Sequence, residues 1–164
     1  MEAIVAVDNN WGIGKGGQLL APISADLKRF KTMTTGNAIL VGRKTLESFP
    51  GGKPLPNRIN IVLTANPDYQ AEGCVICQSK EQALSCVKKL EEEGKTVFVC
   101  GGAAVYQLFL EDCSLFHVTK IDASFEADTF FPNLDALGYT CTTAEEEMEE
   151  EGLRFRFVEY RLAD

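Results

Sequence analysis

A chain of 164 residues, with charged residues at 24% and hydrophobic ones at 45%, is long enough to bury one globular core and gives no reason to invoke a second, so one domain over residues 1–164 is expected. A formal net charge of -8 argues against a nucleic-acid groove or an anionic membrane surface as partner, and any anionic ligand must be met by basic residues gathered locally. No basic segment leads into a long apolar run as in a signal peptide, and no apolar stretch approaches the roughly 20 residues a membrane-spanning helix needs.

Met1 to Val7 is a short, almost wholly apolar run, as a buried strand would be. The segment from Asp8 to Gln18 is a glycine-rich loop, expected to be mobile, that carries Trp11, the only tryptophan. After Leu19 to Ile23 a helix begins, with Ser24 able to cap it and Asp26 in its first turn; Leu27, Phe30 and Met33 recur at helical spacing. Ala38 to Val41 is a second buried strand with Gly42-Arg43-Lys44-Thr45 at its carboxyl end. Pro50 to Pro56 is a proline–glycine loop, followed by a strand from Arg58 to Leu63. Val75 to Cys77 is the next strand, and Lys80 to Glu93 a helix that Gly94 ends. Thr96 to Cys100 is a strand, Gly101-Gly102 a turn, Ala103 to Leu110 a helix and Leu115 to Ile121 a strand. Two more strands, around Tyr139 to Thr143 and Leu153 to Leu162, flank the acidic run Glu145 to Glu151, which reads as a solvated hairpin connection. Alternating strands and helices imply a mostly parallel sheet covered on both faces, and the late strand pair implies an antiparallel edge.

The six cysteines do not resemble a small disulfide scaffold in a chain of this size. Cys74-Val-Ile-Cys77 has CxxC spacing, but zinc would need a second ligand pair and the only histidine is His117, so the motif reads as a short buried strand and no metal site is expected. Reduced thiols fit a cytoplasmic protein, and a monomer is expected.

In open α/β sheets ligands bind at the carboxyl ends of strands, where helix N-termini offer free N–H groups. Three loops fit that position. Gly12-Ile-Gly-Lys-Gly-Gly17 looks like a P-loop but lacks the Gly-Lys-Ser/Thr ending, and the match is rejected. Gly42-Arg43-Lys44-Thr45 sets two cations beside free N–H groups, although such a pair is often only solvated. Gly101-Gly102-Ala103-Ala104 follows a strand and opens a helix, but it is not GxGxxG and taken alone is a packing turn. Asp26 has two readings as well. It is either a carboxylate favoured by the helix dipole, or one partly desolvated beside Leu27 and Phe30, with a raised pKa and able to grip an amidine-like donor pair.

Taken together the motifs decide more than each does alone. Ile13-Gly14, Ser24-Ala-Asp-Leu-Lys-Arg-Phe-Lys31, Val41-Gly-Arg-Lys-Thr45, Pro54-Leu-Pro-Asn-Arg58, Val99-Cys-Gly-Gly102 with Val105-Tyr106, Thr119-Lys-Ile-Asp122 and Asp128-Thr-Phe-Phe-Pro132 occur in this order. In order and spacing the chain resembles dihydrofolate reductase over nearly its whole length. The resemblance implies a single α/β domain, with a mostly parallel eight-stranded sheet, an antiparallel C-terminal edge strand and flanking helices. It also implies reduction of 7,8-dihydrofolate by NADPH, with hydride passing to C6 and a proton to N5. By the same resemblance Asp26 would hold the pteridine's amino group and ring N–H and promote protonation, with Thr119 supporting that edge. Val5, Ala6, Leu27, Phe30, Phe49 and Cys100 would line the substrate pocket, and Arg58 would hold the glutamate α-carboxylate as a fork. Ala6, Ile13, Gly14, Leu19 and Cys100 would border the nicotinamide end of the cofactor. Gly42, Arg43, Lys44, Thr45, Leu63, Thr64, Gly101, Gly102, Ala103, Ala104, Val105 and Tyr106 would take the rest of the dinucleotide, with a cis peptide bond at Gly101-Gly102. Trp11 would lie close to that cofactor.

Two positions depart from the family pattern. Ala21 and Leu46 stand where tryptophan is usual, and Ala21 leaves space beside the substrate and one hydrogen-bond donor fewer. Two other readings are open at this point. A fold-sharing reductase of the riboflavin pathway would have no use for Arg58, since its substrate lacks a glutamate tail. A nucleotide-binding paralogue without catalysis is suggested by Ala21. Oxidation of NADPH with dihydrofolate, compared with NADPH alone and with other pterins, discriminates all three.

Overall fold

Aliphatic runs without polar alternation are stable only when covered on both faces, and the chain sets them at the centre of one twisted sheet. The computed structural model describes residues 1–144 and 146–162, with the backbone alone at 143 and 144. Its strands are β1 (Glu2–Val7), β2 (Gly12–Lys15), β3 (Gln18–Leu19), β4 (Ala38–Gly42), β5 (Ile59–Leu63), β6 (Cys74–Cys77), β7 (Val97–Gly101), β8 (Leu115–Ile121), β9 (Thr129–Phe130), β10 (Tyr139–Ala144), β11 (Met148–Glu150) and β12 (Leu153–Leu162). The helices are α1 (Ser24–Thr34), α2 (Arg43–Glu47), α3 (Lys80–Glu92) and α4 (Ala103–Leu108).

The main sheet runs β10-β12-β8-β1-β7-β4-β5-β6, with β11 added on β12. Every pairing from β8 to β6 is parallel, and β12 is antiparallel to both of its neighbours. The α/β architecture is the one expected. The antiparallel part lies at the expected end, but β12 sits inside the sheet and β10 forms its edge. Period-two alternation divides the core. Val5, Val7, Leu40, Val99 and Val118 face α3 and α4 on one side, and Ala6, Ile39, Val41 and Ile121 face α1 and α2 on the other. Among the described residues no helix is long and apolar enough to cross a membrane. Cys74 and Cys77 bound β6, a strand as expected, but it is the edge of the sheet and of its residues only Cys77 is buried, and Gly94 follows α3 with φ of 84°, a conformation that costs glycine little.

Three local expectations are corrected. The glycine-rich segment is not a bare loop: β2 pairs with β3 on one side and with β9 on the other in a separate three-stranded sheet. Its anchor is Asp8, whose buried carboxylate accepts the N–H groups of Gly12 at 2.8 Å, Asn10 at 2.9 Å and Phe125 at 3.0 Å. Gly12 is required there, because a Cβ would stand 2.6 Å from that of Ala127. Trp11 is a core residue, 6% exposed, with its ring centroid 6.3 Å from that of Phe131 and 5.7 Å from that of Tyr160. Burying an indole recovers more free energy than exposing it on a glycine-rich surface.

The second correction concerns the start of α1. Ser24 is its first helical residue, and the cap position falls on Ile23, which has no side chain to cap with. Glu150 takes over that role from across the fold, accepting the Ser24 N–H at 2.7 Å and the Ala25 N–H at 3.2 Å. The third is the acidic run, which is more than a solvated connection: it contains β11, and Glu150 closes the helix. Its first residue, Glu145, lies outside the described residues.

Candidate active site

The register of two parallel strands builds the floor of the site. Ala6 of β1 stands beside Thr119 of β8, so both side chains point to the face on which α1 packs. Asp26, in the first turn of α1, meets this pair, and its Oδ1 accepts the Thr119 hydroxyl at 2.5 Å. Burial raises the pKa of the Asp26 carboxyl, and the Thr119 hydrogen bond and the charge of Arg29 offset that only in part. A cleft opens at the carboxylate, lined by Ala6, Gly12, Ile13, Leu19, Leu20, Ala21 and Ile121. A partly desolvated acid with one oxygen held by a hydroxyl is equipped to bind paired N–H donors and takes up a proton more readily than a surface aspartate.

Further along α1 the side chains of Phe30 and Phe49 pack with Ile39, Val41, Leu46, Val62 and Cys100, while Leu27 is 47% exposed. Arg58 lies at the far end of the helix. Its Nε donates to the Pro56 carbonyl at 2.9 Å and its Nη1 to the Thr34 hydroxyl at 3.2 Å, with the guanidinium carbon 6.0 Å from the centre of the Phe30 ring. Among the described residues it makes no ion pair. Thr34 is two turns beyond Asp26, or roughly 12 Å along the axis at 1.5 Å per residue. A ligand meeting both Asp26 and Arg58 must therefore be elongated, with donors at one end and an anion at the other. Val5 does not present its side chain here: it points into the core on the opposite face, leaving only backbone on this side. The Cys100 thiol donates to the Phe98 carbonyl at 3.3 Å, and burial raises its pKa, which makes it a neutral wall and not a nucleophile.

The two glycine turns, distant in sequence, meet. A Cβ on Gly42 would stand 3.2 Å from Cγ2 of Val105, and Cβ atoms on Gly101 and Gly102 would stand 3.5 and 3.4 Å from the Thr45 hydroxyl oxygen. Gly101 has φ of 128° and the Gly101–Gly102 bond is cis, as expected. Lys44 is exposed beside this cradle and makes no ion pair among the described residues, whereas Arg43 is paired with Glu47 at 3.0 Å. Ala103 and Ala104 open α4 beside it. Tyr106 is not at the cradle surface, since its hydroxyl donates to the Ile4 carbonyl at 2.7 Å and its ring packs on Phe131. Leu63 ends β5, and the N–H of Thr64 is taken by the Cys77 carbonyl at 2.9 Å. On the other rim, the carbonyl of Gly14 accepts the N–H of Asp128 at 2.9 Å, and the Asp128 carboxylate accepts the N–H of Gly16 at 2.8 Å.

Three residues near the site went unread in the sequence. Arg29 had a signal, its i,i+3 spacing from Asp26. Asp128 lay inside a recognised motif but without a partner to read. Glu150 had none, because its partners are 126 and 125 residues away.

The comparisons with known proteins agree with this geometry. A family model described as dihydrofolate reductase matches residues 1–162. The chain is 38% identical over 148 residues to a dihydrofolate reductase of Bacillus subtilis (strain 168), covering 90% of this chain and 84% of that one. It is 42% identical over 129 residues to one of Staphylococcus haemolyticus, covering 79% and 74%. Among solved structures it is similar to dihydrofolate reductase from Enterococcus faecalis complexed with NADP(H) and RAB-propyl, with a TM-score of 0.87 and 37% identity over 99% of this chain and 96% of that one. With a match to the family model from Met1 to Leu162 and relatives of this similarity, the chain belongs to the dihydrofolate reductase family.

Proposed function

We propose that this protein reduces 7,8-dihydrofolate to 5,6,7,8-tetrahydrofolate with NADPH, as a monomeric cytoplasmic enzyme whose catalytic domain spans residues 1–164. The observation that carries the reading is the desolvated Asp26, bound by Thr119 at 2.5 Å on a cleft that Ala6, Ile13 and Leu19 line. In this reading Asp26 accepts the amino group and ring N–H of the pteridine as a paired contact, and Thr119 fixes which carboxylate oxygen is free to do so. Burial raises its pKa, so that with substrate bound it favours uptake of the proton that N5 receives while hydride arrives at C6. Phe30, Phe49 and Leu27 hold the middle of the substrate, and Arg58, free of any carboxylate of the described chain, holds the glutamate α-carboxylate as a fork.

The residues present fit a dinucleotide phosphate. The cradle of Gly42, Thr45, Gly101 and Gly102 has room where side chains would otherwise stand, and Lys44 supplies an unpaired cation in a chain of net charge -8. Arg43, Lys44, Thr45 and the turn from Gly101 to Ala104 would hold the phosphates, Leu63 and Thr64 the adenosine side, and Ile13, Gly14 and Ala6 the nicotinamide side. NADPH, when bound, supplies the hydride. The test is oxidation of NADPH with dihydrofolate against NADPH alone and against other pterins. Consumption that depends on dihydrofolate is expected, and consumption with other pterins only would overturn the reading.

A further inference from the structure

Arg29 is the one cation of α1 turned toward the sheet, Lys28 and Lys31 being exposed. Its guanidinium carbon stands 4.1 Å from the centre of the Phe157 ring, and its Nη1 is fully buried without a hydrogen-bond partner among the described residues. A buried guanidinium nitrogen with an unspent donor is costly, and a ring face repays only part of that. The position of Phe157 explains why the charge is held there. In the antiparallel pairing of β12 with β8, Phe157 is directly opposite Thr119, so the two side chains share one face of the sheet. Thr119 binds Asp26, and Phe157 carries Arg29. The helix thus docks on two adjacent strands through an i,i+3 pair, whose rise of about 4.5 Å matches the strand spacing of about 4.8 Å. The same i,i+3 spacing sets Arg29 about one helical turn from Asp26 on the face that meets the sheet.

We propose that Arg29 is a positioning residue for the reaction at Asp26: held on Phe157, its guanidinium keeps the buried Asp26 carboxylate ionised until substrate arrives. The charged and titratable groups that face Asp26 are few. On its own face are Arg29 from α1 and the Thr119 hydroxyl from β8, and across the sheet is the Tyr106 phenol of α4, which is committed to the Ile4 carbonyl. From β11 the Glu150 carboxylate sits on the first N–H groups of the helix. The neighbouring Lys120 points to the other face, toward Trp11 and Tyr160. Arg29 is therefore the cation on this side of the sheet that acts on Asp26, and the charge of Arg29 does lower the carboxyl's pKa against its desolvation.

The role rests on the reductase reading only for its consequence in turnover, so the experiment has two arms. The first follows the ¹³C resonance of the Asp26 side-chain carboxyl through a pH titration in the ligand-free protein, assigned by its loss in Asp26→Asn. Arg29→Met keeps the stem over Phe157 and removes the charge, Arg29→Gln keeps donors without charge, and Arg29→Lys keeps the charge. The Asp26 midpoint is expected to rise by about 0.5–1.5 pH units in the Met and Gln variants and to return most of the way in Lys, as for a charge on the order of 10 Å off at intermediate dielectric. The second arm is the pH profile of kcat/KM for dihydrofolate, whose acid-to-neutral limb should move to higher pH by the same amount. An unmoved midpoint in whichever of the Met and Gln variants folds overturns the proposal, as does a shift that Lys fails to reverse. A midpoint that moves in the variants while the wild type does not reduce dihydrofolate upholds Arg29 and overturns the reductase reading alone.

Discussion

Asp26 retains its proton to higher pH than a surface aspartate because it is surrounded by Ala6, Ile13 and the body of α1 more than by water. Asp26→Asn is expected to lose about 10²–10⁴ in turnover at neutral pH, the range for removing an acid–base group, with partial recovery at acid pH where solution supplies the proton. The same burial has a thermodynamic sign. A carboxyl whose pKa is raised on folding stabilises the fold relative to its ionised form below the unfolded value, and that advantage is lost as pH rises through the folded value. Ionised Asp26 therefore costs stability at pH 7, and Asp26→Asn should raise Tm there by roughly 2–4 °C per kcal/mol regained, with the gap closing toward pH 4. Thermal unfolding across pH checks this, and an unchanged or lowered Tm at pH 7 contradicts it. At the cofactor cradle, Arg43 is tied to Glu47 and Lys44 is not. Lys44→Ala should reduce the preference for NADPH over NADH about tenfold, as loss of one charge-assisted hydrogen bond does, and Arg43→Ala should reduce it less. Ratios of kcat/KM for the two cofactors decide the order.

Helix α1 depends on a distant strand for its start. Ile23 at the cap position has nothing to offer the first N–H groups, and Glu150 of β11 fills the gap with both carboxylate oxygens, near the positive end of the helix. Glu150→Ala is expected to cost about 1 kcal/mol, the usual cost of losing a cap. It should lower kcat/KM for dihydrofolate as well, because Asp26 lies in the turn that comes loose. Ser24→Ala, the variant that sequence alone would select, is expected to stay within about 0.5 kcal/mol. Denaturant unfolding of both variants separates them, and equal effects would show that Glu150 does not cap the helix.

Across the whole molecule, the Asp26 cleft and the Glu2–His117 contact lie toward opposite ends of β1. At the end away from the cleft, the side chain of His117 on β8 meets Glu2 of β1 at 2.6 Å, and the hydrogen bond to His117 holds the Glu2 carboxyl below its ordinary value against a smaller effect of burial. A depressed carboxyl contributes stability above its unfolded pKa and loses it as pH falls through the folded value. Glu2→Gln should therefore lower stability at pH 7 by about 1 kcal/mol, toward the upper end for a partly exposed pair. Variant and wild type should converge below pH 4. The cleft, which begins four residues further along β1 at Ala6, should keep its pH profile, and a shift in that profile would show that the two ends are coupled.

The eight strands along the main sheet and most of the helices could be read directly from the chain, and so could Asp26 as a partly desolvated carboxylate, since apolar runs, glycine turns and helical spacing are local signals. The tertiary structure alone decided the rest. Whether Asp8 to Gln18 is a loop depended on β9, more than a hundred residues on, completing its small sheet. Trp11 became core because Phe131 and Tyr160 close over it. The acidic run acquired a role because folding brings Glu150 to the start of α1, and Arg29 faces inward because Phe157 lies opposite Thr119. Each of these contacts joins residues far apart in sequence, and hydrophobic periodicity, which reports only on neighbours within a few turns, carries no information about such a partner.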